Sequence, residues 1–475
     1  MSVRSISAGR GALPPATVGI AAAIFVIGGF GPNSLLAAFA IAVLLMGAFL
    51  LWRPGESPIF LFIFGFQWMQ SSIEIFQANW QGVSMIDFSM EGGDLDLAIV
   101  LSLLGLLVLA LGLRLGAGRW RQKDGALARS SASRFAPRYW FRLYAVAFVV
   151  ATLAQSATLV IPGLSQPLLA LAGLKWAFYW ILAYATFSQP GTNRLYWLFA
   201  FALEVILGVG GYFADFRTPL VFTLLAVVAA GVHLSARKYL AVMSLAALAL
   251  TSGIVWSAVK VDYRRFVSGG ERAQIVTEGY SERIRKLNDL VSELDGSDLV
   301  DGWNALLSRV AYVEYFGVVL DRVPKLLPHE GGALWWDAIS RPFMPRLLFP
   351  EKTIIDDTER TIRYVGLNRA TMGFGTSMSI GYIAESYIDF GTFGMMVPIF
   401  GLGLLLGGFY RWIVGSDPSR LLGMALATAT IVGASYMESS ITKTFGGLIV
   451  AMLASWGMLR IAPRYLPWLQ RRVVR

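Results

Sequence analysis

Runs of about twenty apolar residues recur along this chain, and they constrain its fold more than any other feature. They lie near residues 14–31, 33–52, 58–77, 95–114, 140–161, 167–187, 195–212, 218–234, 239–258, 378–412, 421–437 and 443–462. A helix of about 20 residues crosses the hydrocarbon core of a bilayer while satisfying its own backbone hydrogen bonds. The pattern predicts an all-α, polytopic membrane protein with about twelve transmembrane helices.

Composition agrees with a membrane protein and narrows its chemistry. Of the residues, 56% are hydrophobic and only 15% are charged, whereas soluble domains carry about 25% charged residues. The absence of cysteine excludes disulfides and thiolate metal sites. Two histidines, His233 and His329, are too few for a dedicated zinc or haem site. We therefore expect no metal and no cofactor, and His233 is predicted to lie at the membrane interface.

The net charge of +10 is unevenly distributed. Between Lys260 and Arg369 there are 16 basic and 17 acidic residues, so the whole excess lies in the short loops and termini elsewhere. Cytoplasmic loops of membrane proteins carry such an excess of lysine and arginine. The basic balance therefore indicates membrane topology, and no nucleic-acid partner is expected.

Charges in the short loops predict the orientation. The segment from Arg114 to Arg138 holds seven basic residues and one acid, whereas Asp87 to Asp96 holds acids and no base. These segments fall on opposite sides in a twelve-span count, which predicts that both termini are cytoplasmic. Arg4 and Arg10 precede the first run without an evident cleavage site, so a retained first span is expected. The predicted units are spans one to nine, an outward cap, spans ten to twelve and a basic tail, at residues 1–258, 259–377, 378–463 and 464–475.

The long polar region between spans nine and ten is predicted to fold as a helical cap. The stretches "SERIRKLNDLVSEL" and "WNALLSRVAYVEYFGVVLDRV" repeat apolar residues at helical spacing. Trp303, Trp335 and Trp336 suit a surface at the membrane interface. The cap follows the ninth span instead of the sixth, which argues against a transporter built from two equal halves.

Two carboxylates stand at the start of the tenth predicted span. Glu385 and Asp389 are four residues apart, so they share one helix face, with Tyr382 and Ser386 beside them. A carboxylate near hydrocarbon should point into a cavity or pair with a cation. Two interpretations of Glu385 stay open. It is an acid or base that lines a substrate cavity, or it forms a structural ion pair with an arginine of the cap. Asp389 either joins it or caps the next helix.

Basic residues on the outward side form a second signal. Arg217 stands at the outer end of a span, and Arg309 lies among apolar residues of the cap. Arg341 and Arg346 flank prolines in "ISRPFMPRLLFPEK", with Lys352 close after. Guanidinium groups bind phosphate through paired hydrogen bonds, so a converging set suits a lipid pyrophosphate. Taken singly, each is better explained by a salt bridge or a headgroup contact.

The other polar candidates are His329 and two acidic pairs. His329 is either a general base or a surface histidine. Asp94 and Asp96 could hold a divalent ion, but acids flanking a helix start are commonplace. Asp356 and Asp357, in "TIIDDTER", are expected to be solvated.

The order of these motifs resembles that of a known family. Arg217 is followed by "SRVAYVEYF", then "PFMPRLLFPEK", then "GFGTSMSIGYIAESYIDFGTFGMMVPIFGLGLLLGGFYR". This order is similar to that of the bacterial Wzy-type oligosaccharide repeat-unit polymerases of O-antigen and exopolysaccharide, over roughly residues 205–412. The family commonly has asparagine at the position of Asp389, so the resemblance favours Glu385 over Asp389 as the catalytic residue.

The resemblance implies a fold, a reaction and a location. The fold would be like that of GT-C glycosyltransferases and O-antigen ligases, in the bacterial inner membrane with a periplasmic active site. Undecaprenyl pyrophosphate would leave the growing chain as the terminal sugar of a new lipid-linked unit attacks it, without a metal. Glu385 or His329 would be the base, and the substrate-binding residues would be Arg217, Arg309, Arg341, Arg346, Lys352, Tyr382 and Asp389. Whether a flippase and a chain-length regulator work beside the protein stays open.

Two other functions compete with polymerisation. An O-antigen ligase would share the chemistry but pass the chain to another acceptor. A polysaccharide flippase or transporter would use Glu385 to bind protons or substrate cations.

Overall fold

The computed structural model describes residues 15–89, 92–119, 121–189, 191–209, 215–231, 236–270, 276–344, 348–349, 351–352, 356–367 and 378–466. Within these ranges the regular structure is helical and contains no strand, which confirms the predicted all-α class. In chain order the helices are α1 (Pro15–Gly28), α2 (Ser34–Leu51), α3 (Ile59–Gln81), α4 (Met85–Phe88), α5 (Leu95–Ala117), α6 (Gln122–Ala132), α7 (Pro137–Val160), α8 (Ser165–Gly173), α9 (Lys175–Ser188), α10 (Leu195–Val209), α11 (Thr218–Ala229), α12 (Ala236–Val267), α13 (Tyr280–Ser292), α14 (Gly296–Val310), α15 (Glu314–Arg322), α16 (Ala333–Ser340), α17 (Asp357–Val365), α18 (Tyr382–Gly394), α19 (Met396–Ser416), α20 (Leu421–Ile431) and α21 (Ile441–Tyr465).

Several of these helices can cross a membrane. In the described part of the chain, seven segments are long and apolar enough: α2, α3, α5, α7, α8 with α9, α19 and α21. Four shorter apolar helices, α1, α10, α11 and α20, add to the bundle. The protein is thus a helical membrane protein with several spans, as its apolar runs predict.

Close glycine contacts join α5 to α19. A Cβ atom on Gly112 would lie 2.5 Å from the Phe400 carbonyl oxygen, and one on Gly403 would lie 2.5 Å from that of Leu109. Gly116 meets Leu404 in the same way one turn further along both helices. Small residues four apart let two helix backbones approach this closely. Because the contacts advance together along both sequences, α5 and α19 run parallel.

The parallel pair defines two ends of the bundle. At the end where α5 and α19 begin, called the cap end, Gly317 of α15 packs against Leu95. At the end where they finish, called the basic end, Arg119 and Arg411 line one cavity. The cap and the main basic loop therefore lie at opposite ends of the molecule.

The cap differs in detail from its predicted pattern. The stretch over residues 303–323, whose apolar residues repeat at helical spacing, is divided between two helices, α14 and α15. Residues 311–313 separate them, and the backbone N–H of Tyr312 donates to the carbonyl oxygen of Gln70 on α3, 3.1 Å away. A hydrogen bond to the bundle thus takes the place of helix continuity at this point.

The predicted tenth span is also interrupted. In place of a single helix over residues 378–412, α18 ends at Gly394 and α19 begins at Met396. Gly391 has φ 69° and ψ −172°, a backbone conformation that favours glycine. A Cβ atom there would lie 3.3 Å from Nε2 of His329, so glycine also leaves room for the cap. This break makes α18, which carries Glu385 and Asp389, a separate short helix at the cap end.

Candidate active site at the junction of cap and bundle

Glu385 is buried where the cap meets the bundle. Its side chain is 1% exposed. Nη1 of Arg360, on cap helix α17, donates to its Oε1 at 3.1 Å. The backbone N–H of Ile441 donates to its Oε2 at 2.6 Å. Ile441 begins α21, so the carboxylate satisfies one of the amides that a helix start leaves without an intrahelical partner.

Arg360 links this carboxylate to a second one. Its Nη2 donates to Oδ2 of Asp337 at 3.0 Å, and its Nη1 also donates to the hydroxyl of Thr442 at 3.1 Å. Nε of Arg341 contacts the two carboxylate oxygens of Asp337 at 2.8 and 2.9 Å. Asp337 and Arg341 are four residues apart on one helix stretch, which places them side by side. We call Asp337, Arg341, Arg360, Glu385 and Thr442 the junction cluster.

The members of the junction cluster differ in exposure. The side chains of Arg360 and Asp337 are 21% and 32% exposed, whereas Glu385 is closed off. Burial raises the pKa of Glu385 to about 7, although Arg360 and the Ile441 amide favour the ionised form. A carboxyl group with this pKa can exchange a proton near neutral pH. Arg360, which is partly accessible, is the cation that the Glu385 carboxylate binds.

A separate ion pair joins α17 to α21. Nζ of Lys443 lies 2.7 Å from Oδ2 of Asp357. Asp357 is 3% exposed, so the prediction that it is solvated is wrong. It is buried because the start of α17 lies against α21. Asp356 instead caps α17 by accepting from the backbone N–H groups of Thr358 and Glu359.

Lys443 also faces a cavity. The cavity has a volume of about 300 Å³ and lies between α8, α20 and α21. Its walls are mainly apolar, with polar groups from Thr430, Ser439 and Thr444. The hydroxyl of Thr444 is buried and has no hydrogen-bond partner within the described residues. This cavity, called the α8–α21 cavity, therefore combines an apolar wall with a cation and a free hydroxyl.

Arg217 lines a neighbouring cavity. It is exposed and contributes to a space of about 240 Å³ together with Trp176 and Tyr436. Both cavities include Val432 and Gly433 in their walls, so they adjoin. Arg217 lies at the cap end but is not part of the junction cluster.

The other predicted cations are only partly placed together. Lys352 donates to the carbonyl oxygens of Arg341 and Met344, at 2.7 and 2.9 Å, which holds it beside the junction cluster. Arg346 lies outside the described residues. Arg309 lies on α14, but its side chain is likewise outside the described part.

Tyr382 and Asp389 do not line the accessible face of the cluster. Tyr382 is 1% exposed, and its hydroxyl donates to Oε1 of Gln67 on α3 at 2.8 Å. Asp389 is also 1% exposed and accepts from the backbone N–H groups of Leu334 and Trp335, at 3.1 and 2.8 Å. It caps α16 of the cap instead of the next helix in the chain, because the cap folds back onto α18.

His329 packs further along α18. Its Nδ1 is 3.2 Å from the carbonyl oxygen of Ile388, and its ring meets that of Tyr387 edge to face at 5.5 Å. The ring is exposed. Among the described contacts none joins His329 to the junction cluster.

Asp94 caps α5 by accepting from the backbone N–H of Leu97.

Sequence reasoning missed Asp337, Arg360, Thr442 and Lys443. One signal was present, since Asp337 and Arg341 have the spacing of a helical ion pair. Arg360, in "DTERTIRYV", has the pattern of a solvated amphipathic helix. Within the described residues, no group of three or more His, Asp or Glu side chains is placed to hold a metal ion.

Comparison with known proteins gives a family. A model described as a domain of unknown function, DUF8712, matches residues 102–431, which is more than half of the chain. The chain therefore belongs to this family. No curated protein and no solved structure matches it. The matched region includes α16, α17 and α18, which carry most of the junction cluster.

Proposed function

We propose that this member of the DUF8712 family is a glycosyltransferase that polymerises undecaprenyl pyrophosphate-linked oligosaccharide repeat units. The product would be an O-antigen or exopolysaccharide, made at the periplasmic face of the bacterial inner membrane. The growing chain is the donor, and the terminal sugar of a new lipid-linked unit is the acceptor. The proposal combines the Wzy-type motif order with the chemistry available at the cap end.

The observation that carries the proposal is the Arg360–Glu385 contact within the junction cluster. A guanidinium that is still partly accessible is held by a buried carboxylate at the cap end, and Arg341 lies on the same carboxylate network. Cations that contact a leaving group stabilise the negative charge that develops on it, by a few kcal/mol for each well-placed donor. A departing pyrophosphate is a group of this kind.

The adjoining cavities favour a lipid-linked substrate. The walls of the α8–α21 cavity and of the Arg217 cavity are largely apolar. Each contains one basic residue: Lys443, which is paired with Asp357, and Arg217. An amphipathic molecule with a polyisoprenyl tail and an anionic head matches this combination. Both cavities lie at the same end of the bundle as the junction cluster.

The proposed topology follows from the two ends of the bundle. About twelve spans in a GT-C-like arrangement would put the basic end and both termini in the cytoplasm. The cap end, with Glu385 and Arg360, would then face the periplasm. What supports this is the position of the acidic loop before α5 at the cap end and of Arg119 and Arg411 at the basic end.

The proposed chemical step exchanges the partner of Arg360. When the donor binds, Arg360 turns from Glu385 to the pyrophosphate, which leaves Glu385 free to act as base. The acceptor hydroxyl oxygen bonds to the donor's anomeric carbon, and its proton passes to Glu385. The bond from the anomeric carbon to the pyrophosphate oxygen breaks, and its electron pair leaves with undecaprenyl pyrophosphate. No oxidant, reductant or further reactant is required.

A deletion strain tests this function against the two alternatives. If the protein is a polymerase, loss of the gene leaves single repeat units attached to the final acceptor. Loss of a ligase would leave long chains on the undecaprenyl carrier, and loss of a flippase would trap single units in the cytoplasmic leaflet. Long chains on the carrier, or trapped units, would contradict the proposal.

A further inference from the structure

A second cluster of charged side chains lies at the basic end, away from the junction cluster. It surrounds a cavity of about 400 Å³ formed by the loop after α2, the loop after α5 and the end of α19. Five arginines line it: Arg53, Arg119, Arg121, Arg411 and Arg420. Two acids, Glu56 and Asp124, complete the charged lining. With all of them ionised, the cavity has an excess of three positive charges.

Each of the two acids forms an ion pair with one of the arginines. Nη1 of Arg53 lies 3.3 Å from Oε2 of Glu56, which also accepts from the hydroxyl of Tyr410 at 2.9 Å. Nε of Arg420 lies 3.1 Å from Oδ1 of Asp124. The side chains of Arg53 and Glu56 are 5% and 3% exposed. These two ion pairs form the less exposed part of the cavity lining.

Arg420 is held in an unusual backbone conformation. Its φ is 61°, and it is the one residue other than glycine with a positive φ in the described part of the chain. This region costs an L-residue roughly 1–2 kcal/mol. A hydrogen bond from Nη1 of Arg420 to the carbonyl oxygen of Val414, at 2.6 Å, accompanies the ion pair with Asp124. The local structure thus keeps this guanidinium at the cavity wall.

The remaining three arginines have no acidic partner among the described residues. Arg119, Arg121 and Arg411 are exposed, and none of them forms a salt bridge there. The side chain of Arg411 lies against Gly118, which has φ 67°, a backbone conformation that favours glycine. Three unneutralised guanidinium groups therefore share one concave space.

We propose that this cavity binds a phosphate-bearing anion, either a soluble diphosphate or the headgroup of an anionic phospholipid. Guanidinium groups bind phosphate oxygens through paired hydrogen bonds, and several together can neutralise more than one negative charge. The volume falls within the range of small-molecule sites, about 300–1,000 Å³. The site is separate from the proposed transferase site, so each can fail without the other.

The competing explanation is the general excess of arginine in cytoplasmic loops, which needs no ligand. That bias acts on loop composition and does not require the side chains to surround one cavity. It also does not require that both nearby acids be sequestered by Arg53 and Arg420. A binding measurement separates the two explanations.

The test uses the intact protein and two probes. In one arm, inorganic pyrophosphate is titrated into detergent-solubilised protein and followed by calorimetry. In the other, the protein is placed in nanodiscs of phosphatidylglycerol or phosphatidylcholine, and retained lipids are counted by native mass spectrometry. The variant is R119Q with R411Q, because both side chains are exposed and lie outside the buried pairs. The matched control is R142Q, an exposed arginine on α7 that does not line the cavity.

We expect binding in at least one arm. The double variant should weaken the affinity about tenfold or more, and R142Q should leave it unchanged. Added salt should weaken the binding too, since exposed charges are screened. Binding of pyrophosphate alone identifies a soluble ligand, and retention of phosphatidylglycerol alone identifies a lipid. Binding in neither arm, or equal effects of the double variant and R142Q, would overturn the proposal.

Discussion

Nη1 of Arg360 and Oε1 of Glu385 lie 3.1 Å apart, and this contact ties the cap to the membrane bundle. The two residues come from different helices, α17 and α18. Glu385 in turn bonds to the first amide of α21, so three elements meet at one carboxylate. Removing Arg360 outright would leave a buried, unpaired charge, a change that costs about 3–5 kcal/mol in stability. Tests of function therefore need substitutions that keep the charge or the shape.

Arg360→Lys is expected to reduce chain extension by about 100-fold while the protein stays folded. The arginine donates to Glu385, Thr442 and Asp337 at once, and an ammonium group cannot reproduce this fork. The measurement is the initial rate of extension of a lipid-linked unit, with gel filtration as a check on folding. Arg363→Lys is the matched control, since Arg363 lies on the same helix, is 59% exposed and pairs with Glu330. Equal rates for the wild type and Arg360→Lys would contradict the role given to Arg360.

Extension is expected to depend on pH through Glu385. Burial raises the pKa of its carboxyl group to about 7. Only the ionised form accepts a proton, so activity is present above that pH and is lost as the pH falls through it. The profile is measured as kcat/KM from about pH 5 to pH 9, because this quantity reports the free enzyme, in which Arg360 still contacts Glu385. Glu385→Gln should abolish this acid limb together with most of the activity, whereas Glu330→Gln should keep it. A Glu385→Gln enzyme with the wild-type profile would remove Glu385 from proton transfer.

Asp389→Ala is expected to loosen the start of α16. The substitution leaves the buried N–H groups of Leu334 and Trp335 without their acceptor, at a cost of about 1–3 kcal/mol. Asp389→Asn keeps one acceptor oxygen and should cost less. Hydrogen exchange at these two amides measures the effect, together with the melting temperature in detergent. Unchanged exchange in Asp389→Ala would show that the cap helix does not depend on this carboxylate.

Gly403→Ala is expected to destabilise the bundle by about 1–3 kcal/mol, because the added methyl group would overlap the carbonyl oxygen of Leu109 on α5. Gly401→Ala, two residues away on the same helix, has no atom within 4 Å of the new Cβ and serves as the control. Thermal unfolding in one detergent compares the two. A melting temperature that falls equally in both variants would argue against close packing of α5 on α19.

Apolar runs predicted the helices well because hydropathy over twenty residues is a local property. Helices such as α3 and α5 begin and end within a few residues of the predicted spans. The apolar pattern continues through the helix break at Gly391, so hydropathy alone does not locate it. What interrupts the helix is the conformation of Gly391 and its contact with His329, which lies 62 positions earlier in the chain.

The candidate site was only partly predictable for the same reason. The burial cost of a carboxylate indicated that Glu385 would meet either a cavity or an arginine of the cap, and the structure has the arginine. The sequence does not show which arginine this is, because Arg360 lies in a short amphipathic helix whose burial depends on how the cap packs onto α21. Convergence of Arg341 and Lys352 beside it, with Arg217 in an adjoining cavity, likewise depends on contacts between distant segments.

The most direct test of the account is extension of a defined substrate by the purified protein. The wild-type protein, reconstituted in liposomes with a single undecaprenyl pyrophosphate-linked repeat unit, is expected to produce a ladder of longer lipid-linked products. Glu385→Gln, reconstituted to the same amount, should leave the unit unextended. A wild-type protein that leaves the unit unextended while a known polymerase extends it, or a Glu385→Gln ladder equal to that of the wild type, would contradict the proposal.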